Sequence, residues 1–147
     1  MKDRFFIGSL AGLAGAGLMA LINFIINLVP GINMELIFGV SGLFVPETLK
    51  GTLQGAAVGL IAHLACGALV GLVILGILET FGYEHIVLKG AILGLFCWFS
   101  LSGILGRLLT LGMQDKFIDN ALFILIHFPF GITTAWLIKR YRMGQSV

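Results

Sequence analysis

Two histidines are the residues best placed to do chemistry. His63 and His127 each lie inside a long apolar run, and each is followed four residues later by glycine, as His63-x-x-x-Gly67 and His127-x-x-x-Gly131. An imidazole in such surroundings can ligate haem iron, carry a proton, or make one packing hydrogen bond. His63 follows Gln54 by nine residues and His127 follows Asn120 by seven. On helices running the same way, that puts both rings about 10–14 Å inward, level near the middle of a bilayer. The expected order is a packing hydrogen bond first, then proton or solute passage, then a bis-histidine haem b. Pro129, two residues after His127, is expected to kink its helix there.

A second polar set lies nearer one end of the same runs. Asn23, Asn27, Gln54, Arg107 and Asn120 are expected to line a pocket opening outward. Each is costly in lipid and should face the interior of a bundle. Arg107 needs a counter-charge, for which Glu35, Glu47, Asp115 and Asp119 are available. A salt bridge at the helix mouth is expected ahead of an anion site, and snorkelling to water costs least.

Other chemistry finds no support. No carboxylate pair sits in an apolar run, Ser100 and Ser102 have no identifiable base, and no metal-ligand spacing occurs. Gly15-Ala-Gly17-Leu-Met-Ala20 matches a dinucleotide fingerprint by letter only, because it falls mid-helix and not at a strand-to-helix turn. Cys66 and Cys97 lack C-x-x-C spacing and read as small buried hydrophobes. His85, in a short connection, reads as solvated. The chain reads as no enzyme.

The elements that must position these residues follow from composition. Of 147 residues, 59% are hydrophobic and 11% charged, against roughly 25% charged in soluble domains. A water-facing surface cannot be built from this, and a net charge of +2 gives no stripe for nucleic acid. Four runs are long enough to cross about 30 Å of hydrocarbon, at about 5–29, 51–78, 88–111 and 120–138. The expected fold is an all-α polytopic membrane protein, a single four-helix domain over 1–147. The first run is too long for a cleaved signal peptide and reads as a retained helix.

Residues 79–87 and 112–118 read as short polar turns. Residues 30–50 are longer and apolar, and are expected to lie in the interface, to re-enter the bilayer, or to act as a lid over the outer mouth. Lys2, Arg4, Lys89, Lys139, Arg140 and Arg142 fall on the side of the termini, against Lys50, Arg107 and Lys116 on the other. Both termini are therefore expected to be cytoplasmic. Trp136, Tyr141 and Lys139-Arg140 would anchor the fourth span at that face.

The 21 glycines sharpen this architecture. Gly51, Gly55, Gly59, His63, Gly67 and Gly71 stand four apart on the second span, a slanting ridge suited to close helix crossings. Gly8, Gly12 and Ala16 repeat the spacing on the first, Gly90 and Gly94 open the third, and His127, Gly131 and Ala135 run along the fourth. Aligning the second and fourth spans on their histidines hints at a parallel repeat of two hairpins.

The pattern resembles a loose group of small four-helix bacterial inner-membrane proteins of no assigned activity. The resemblance rests on Gly8, Gly12, His63, Gly67, His127 and Gly131. It implies a multi-pass protein of the bacterial inner membrane. The favoured role is a non-enzymatic subunit packing through its glycine ridges in a homo-oligomer or on a membrane partner. A small transporter with an outward pocket around Arg107 is the first alternative, and a haem b protein the second.

Overall fold

The computed structural model describes residues 3–109 and 117–143, all helix and connection with no strand among them. The elements are α1 (Arg4–Ile26), α2 (Leu36–Ser41), α3 (Glu47–Lys50), α4 (Leu53–Phe81), α5 (Ile86–Cys97), a π-helical stretch (Trp98–Leu105), α6 (Gly106–Leu108) and α7 (Phe117–Met143). Four helices are long and apolar enough to cross a membrane: Arg4–Ile26, Leu53–Phe81, Ile86–Leu105 and Phe117–Arg142.

Local chemistry sets the helix ends. Asp3 caps α1 by accepting from the Phe6 amide at 3.3 Å, and Thr52 caps α4 by accepting from the Gly55 amide at 3.2 Å. α4 runs past the expected end at Leu78 and stops at Gly82, whose φ of +81° suits glycine. Lys89 Nζ donates to the carbonyls of Phe81 (2.7 Å) and Gly82 (2.9 Å), covering acceptors left bare there. Glu79, expected in the turn, lies within α4 and pairs with Arg142 at 2.8 Å and Arg4 at 3.5 Å. That carboxylate joins the start of α1 to the ends of α4 and α7. α7 also exceeds its expected span at both ends and runs unbroken through Pro129. Asp119 in its first turn and Arg140 and Arg142 in its last suit the helix dipole.

The glycine rows pack against each other inside the chain. α1 and α4 are antiparallel, with Gly8 opposite Gly71, Gly12 opposite Gly67 and Ala16 opposite His63. A methyl group at Gly12 would fall on the Gly67 carbonyl, and one at Gly71 on the Gly8 carbonyl. α5 and α7 repeat this arrangement. A methyl at Gly131 would strike the Gly90 carbonyl, and one at Gly94 the His127 carbonyl. The two pairs share one register: Gly12–Gly67 corresponds to Gly90–Gly131, and Ala16–His63 to Gly94–His127. The hairpins join where Gly15 of α1 meets Thr134 and Phe130 of α7.

The helices therefore pack in the order α4, α1, α7, α5, with further contact between α4 and α7. α5 packs chiefly on α7, and only 11% of the third span is buried, against 39% of the first and fourth.

Candidate functional site

The first connection lies over the bundle end opposite Glu79. Asn23 and Asn27, one turn apart on the last part of α1, reach the same peptide group. Asn23 Nδ2 donates to the Met34 carbonyl at 3.1 Å and Asn27 Nδ2 at 3.0 Å. Asn27 Oδ1 accepts from the Met34 amide at 2.8 Å. From α7, the buried Asp119 carboxylate accepts from the Asn33 amide at 3.4 Å. Non-helical backbone set against apolar helices must find internal partners, and these side chains supply them.

Packing completes the site. Met34 is 2% exposed and Leu36 4%, and they share an apolar cluster with Ala16, Met19, Ile126 and Phe130. α2 then lies along α4. The Ile37 carbonyl and Ser41 side chain occupy the space where Gly59 lacks a Cβ, and the Leu49 and Lys50 carbonyls do the same at Gly55. The ridge of α4 is thus covered by the connection at Gly55 and Gly59 and by α1 from His63 to Gly71.

Not every residue of the expected pocket converges here. Asn23, Asn27 and Asp119 come together, whereas Gln54 is exposed at the start of α4 and Asn120 is half-buried beside Asp119 in sequence. The Arg107 side chain, Asp115 and Lys116 lie outside the described residues. Sequence reasoning missed Met34 as the group held. The asparagines four apart signalled a shared face, but nothing marked a backbone amide eleven residues on as their partner.

The histidines occupy equivalent ridge positions and make different bonds. His63 is buried, with Nε2 3.2 Å from the Ala16 carbonyl of the neighbouring helix. His127 is buried, with Nδ1 2.7 Å from the Phe123 carbonyl on its own helix and its ring edge-on to Phe123 at 5.2 Å. Thr134 similarly turns its hydroxyl back to the Phe130 carbonyl at 2.8 Å. The His63 Nε2 that would bind iron faces a carbonyl. The ridge beside it is filled by Gly12 and Ala16, while the Gly94 side of His127 is in backbone contact. These residues do not fit a haem held between the two rings. Among the described residues, no three His, Cys, Asp or Glu side chains gather as metal ligands.

Neither a family model, nor a curated protein, nor a solved structure matches the chain.

Proposed function

We propose that the protein is a non-enzymatic membrane subunit that binds a partner helix, in a second copy or another subunit, along its third span. One observation carries the reading. The glycine ridges of α1, α4, α5 and α7 are closed against one another, while the third span is the least buried of the four, 11% against 28–39%, with Ile92, Phe96 and Phe99 on its bare surface. The π-helical stretch on that span supports it, since such departures from α geometry concentrate at functional positions. On this reading both termini are cytoplasmic in a bacterial inner membrane, the Glu79 end lies inside, and the Met34 end faces out. Arg140, whose guanidinium sits 5.3 Å over the Trp136 ring, anchors the inner interface.

Site-specific photo-crosslinking tests the role. Probes at Ile92, Phe96 and Phe99 are expected to give a protein adduct, at twice the 15.8 kDa monomer mass for self-association. Probes at Leu21 and Phe24 of α1, equally bare, are expected to label lipid. Lipid adducts alone from all five positions would refute the docking face.

A further inference from the structure

We propose that the partner along the third span is a second copy of this chain, and that the third span of each copy seats in a groove on α4 of the other. The inference rests on the third-span reading above and adds to it the partner and the receiving face. The internal repeat carries it. Gly12 meets Gly67 as Gly90 meets Gly131, and Ala16 meets His63 as Gly94 meets His127. α5 is thus the counterpart of α1, and α7 the counterpart of α4. The same register sets Leu122, Ile126 and Phe130 of α7 against Val58, Ala62 and Cys66 of α4.

The two rows differ in what covers them. On α7, Ile126 and Phe130 are buried and pack, with Leu122, in one cluster with Ala16, Met19 and Ile22 of α1. On α4, Val58, Ala62 and Cys66 line an open groove of about 500 Å³, together with Ala65 and flanked by Ile61 and Leu69. The counterpart of the helix that covers the first row is the third span, yet no residue of that span lines the groove. Leu93 stands where α1 has Gly15, and it packs against the chain's own core. A backbone approach like that of Gly15 to Phe130 and Thr134 is therefore denied to α5 and its own α4.

Side-chain size also fits the groove to the third span. In the covered row α7 brings the bulk, Ile126 and Phe130, and α1 the small Gly15 and Ala16. On the open side the sizes are exchanged: α4 offers Ala62, Ala65 and Cys66, and the third span carries Phe96 where α1 has Leu18. Phe96 and Phe99 lie bare on that span. Large side chains set over small ones give the dense packing on which helix association in lipid depends. A third span from a second copy in the same membrane orientation runs antiparallel to α4, as α1 does to α7. Each copy presents both faces, so docking is reciprocal and closes as a two-fold dimer.

Two distinguishable copies, co-expressed in a membrane, test this. One carries Phe96→Cys with Cys66→Ala and Cys97→Ala; the other carries Cys97→Ala and keeps Cys66 as its single thiol. Copper-phenanthroline oxidation is expected to give a mixed disulfide dimer at twice the 15.8 kDa monomer mass. No mixed dimer is expected when Leu21→Cys replaces Phe96→Cys in the first copy. Absence of the mixed dimer, with protein adducts still formed by probes at Ile92, Phe96 and Phe99, overturns the proposal and leaves the third-span reading standing. Lipid adducts alone at those probes remove both.

A second variant fills the groove without altering the third span. In Ala65→Phe, the protein adduct from a probe at Phe99 is expected to fall about fivefold or more through overpacking, with lipid adducts in its place. Adding Phe96→Ala is expected to restore part of it by making room. An unchanged adduct yield in folded Ala65→Phe protein overturns the proposal.

Discussion

At the scale of single residues, the glycines divide into two populations that composition alone cannot separate. Gly12, Gly94 and Gly131 are needed because a neighbouring backbone lies where their Cβ would be, and Gly67 because the Ala16 methyl does. Gly17 and Gly76 lie on the same helices with open space around them. Gly12→Ala and Gly67→Ala are therefore expected to destabilise the protein by about 1–3 kcal/mol through overpacking. Gly17→Ala and Gly76→Ala are expected to leave stability unchanged or raise it by up to ~1 kcal/mol, since alanine is the better helix former. Unfolding in mixed micelles, followed by circular dichroism, distinguishes the two sets; equal effects would refute the division. His63 belongs with the first population, because its bond to Ala16 lets the larger residue stand where the other ridge positions carry glycine.

Among the elements, the four spans were legible because an apolar run as long as a bilayer is thick rarely occurs outside a membrane. Their packing partners were legible only in part. The four-residue spacing from Gly55 to Gly71 announced a ridge, but not that α1 would cover one half and the short α2 and α3 the other. The course of residues 30–50 was not legible, because it depends on contacts between Met34 and two distant helices. The π-helical stretch also left no mark, since Trp98–Leu105 reads as ordinary apolar helix. A π turn usually accommodates one extra residue, so deleting Gly103 is expected to restore α geometry there. The deletion should cost no stability, or gain about 1 kcal/mol of released strain, while abolishing the partner adducts from Phe96 and Phe99. A destabilised protein that still crosslinks would assign the stretch a purely structural role.

Across the whole molecule, one carboxylate gathers three helices. Glu79 is largely buried and touches guanidinium groups from both ends of the chain, Arg4 on α1 and Arg142 on α7. Arg4 is mostly exposed and contributes little, so the pair with Arg142 dominates. Glu79→Ala is expected to cost on the order of 1 kcal/mol, with most of the loss reproduced by Arg142→Ala and little by Arg4→Ala. A double-mutant cycle between positions 79 and 142 measures the coupling, and a value near zero would make the pair ornamental. The shared register of the two hairpins was only a hint in the sequence. It became a structural statement once Gly12–Gly67 and Gly90–Gly131 proved to be equivalent contacts.

That register also has a mechanical consequence. Backbones meshed at glycine cannot slide or roll past one another without collision, so each hairpin behaves as a stiff bar. The α1–α7 seam, where Gly15 meets Thr134 and Phe130, lacks that double row of interlocking notches. Compliance is therefore expected along that seam, where side chains make most of the contact. A lateral load on the third span would thus swing one bar against the other about the middle of the protein, leaving the interior of each bar undeformed.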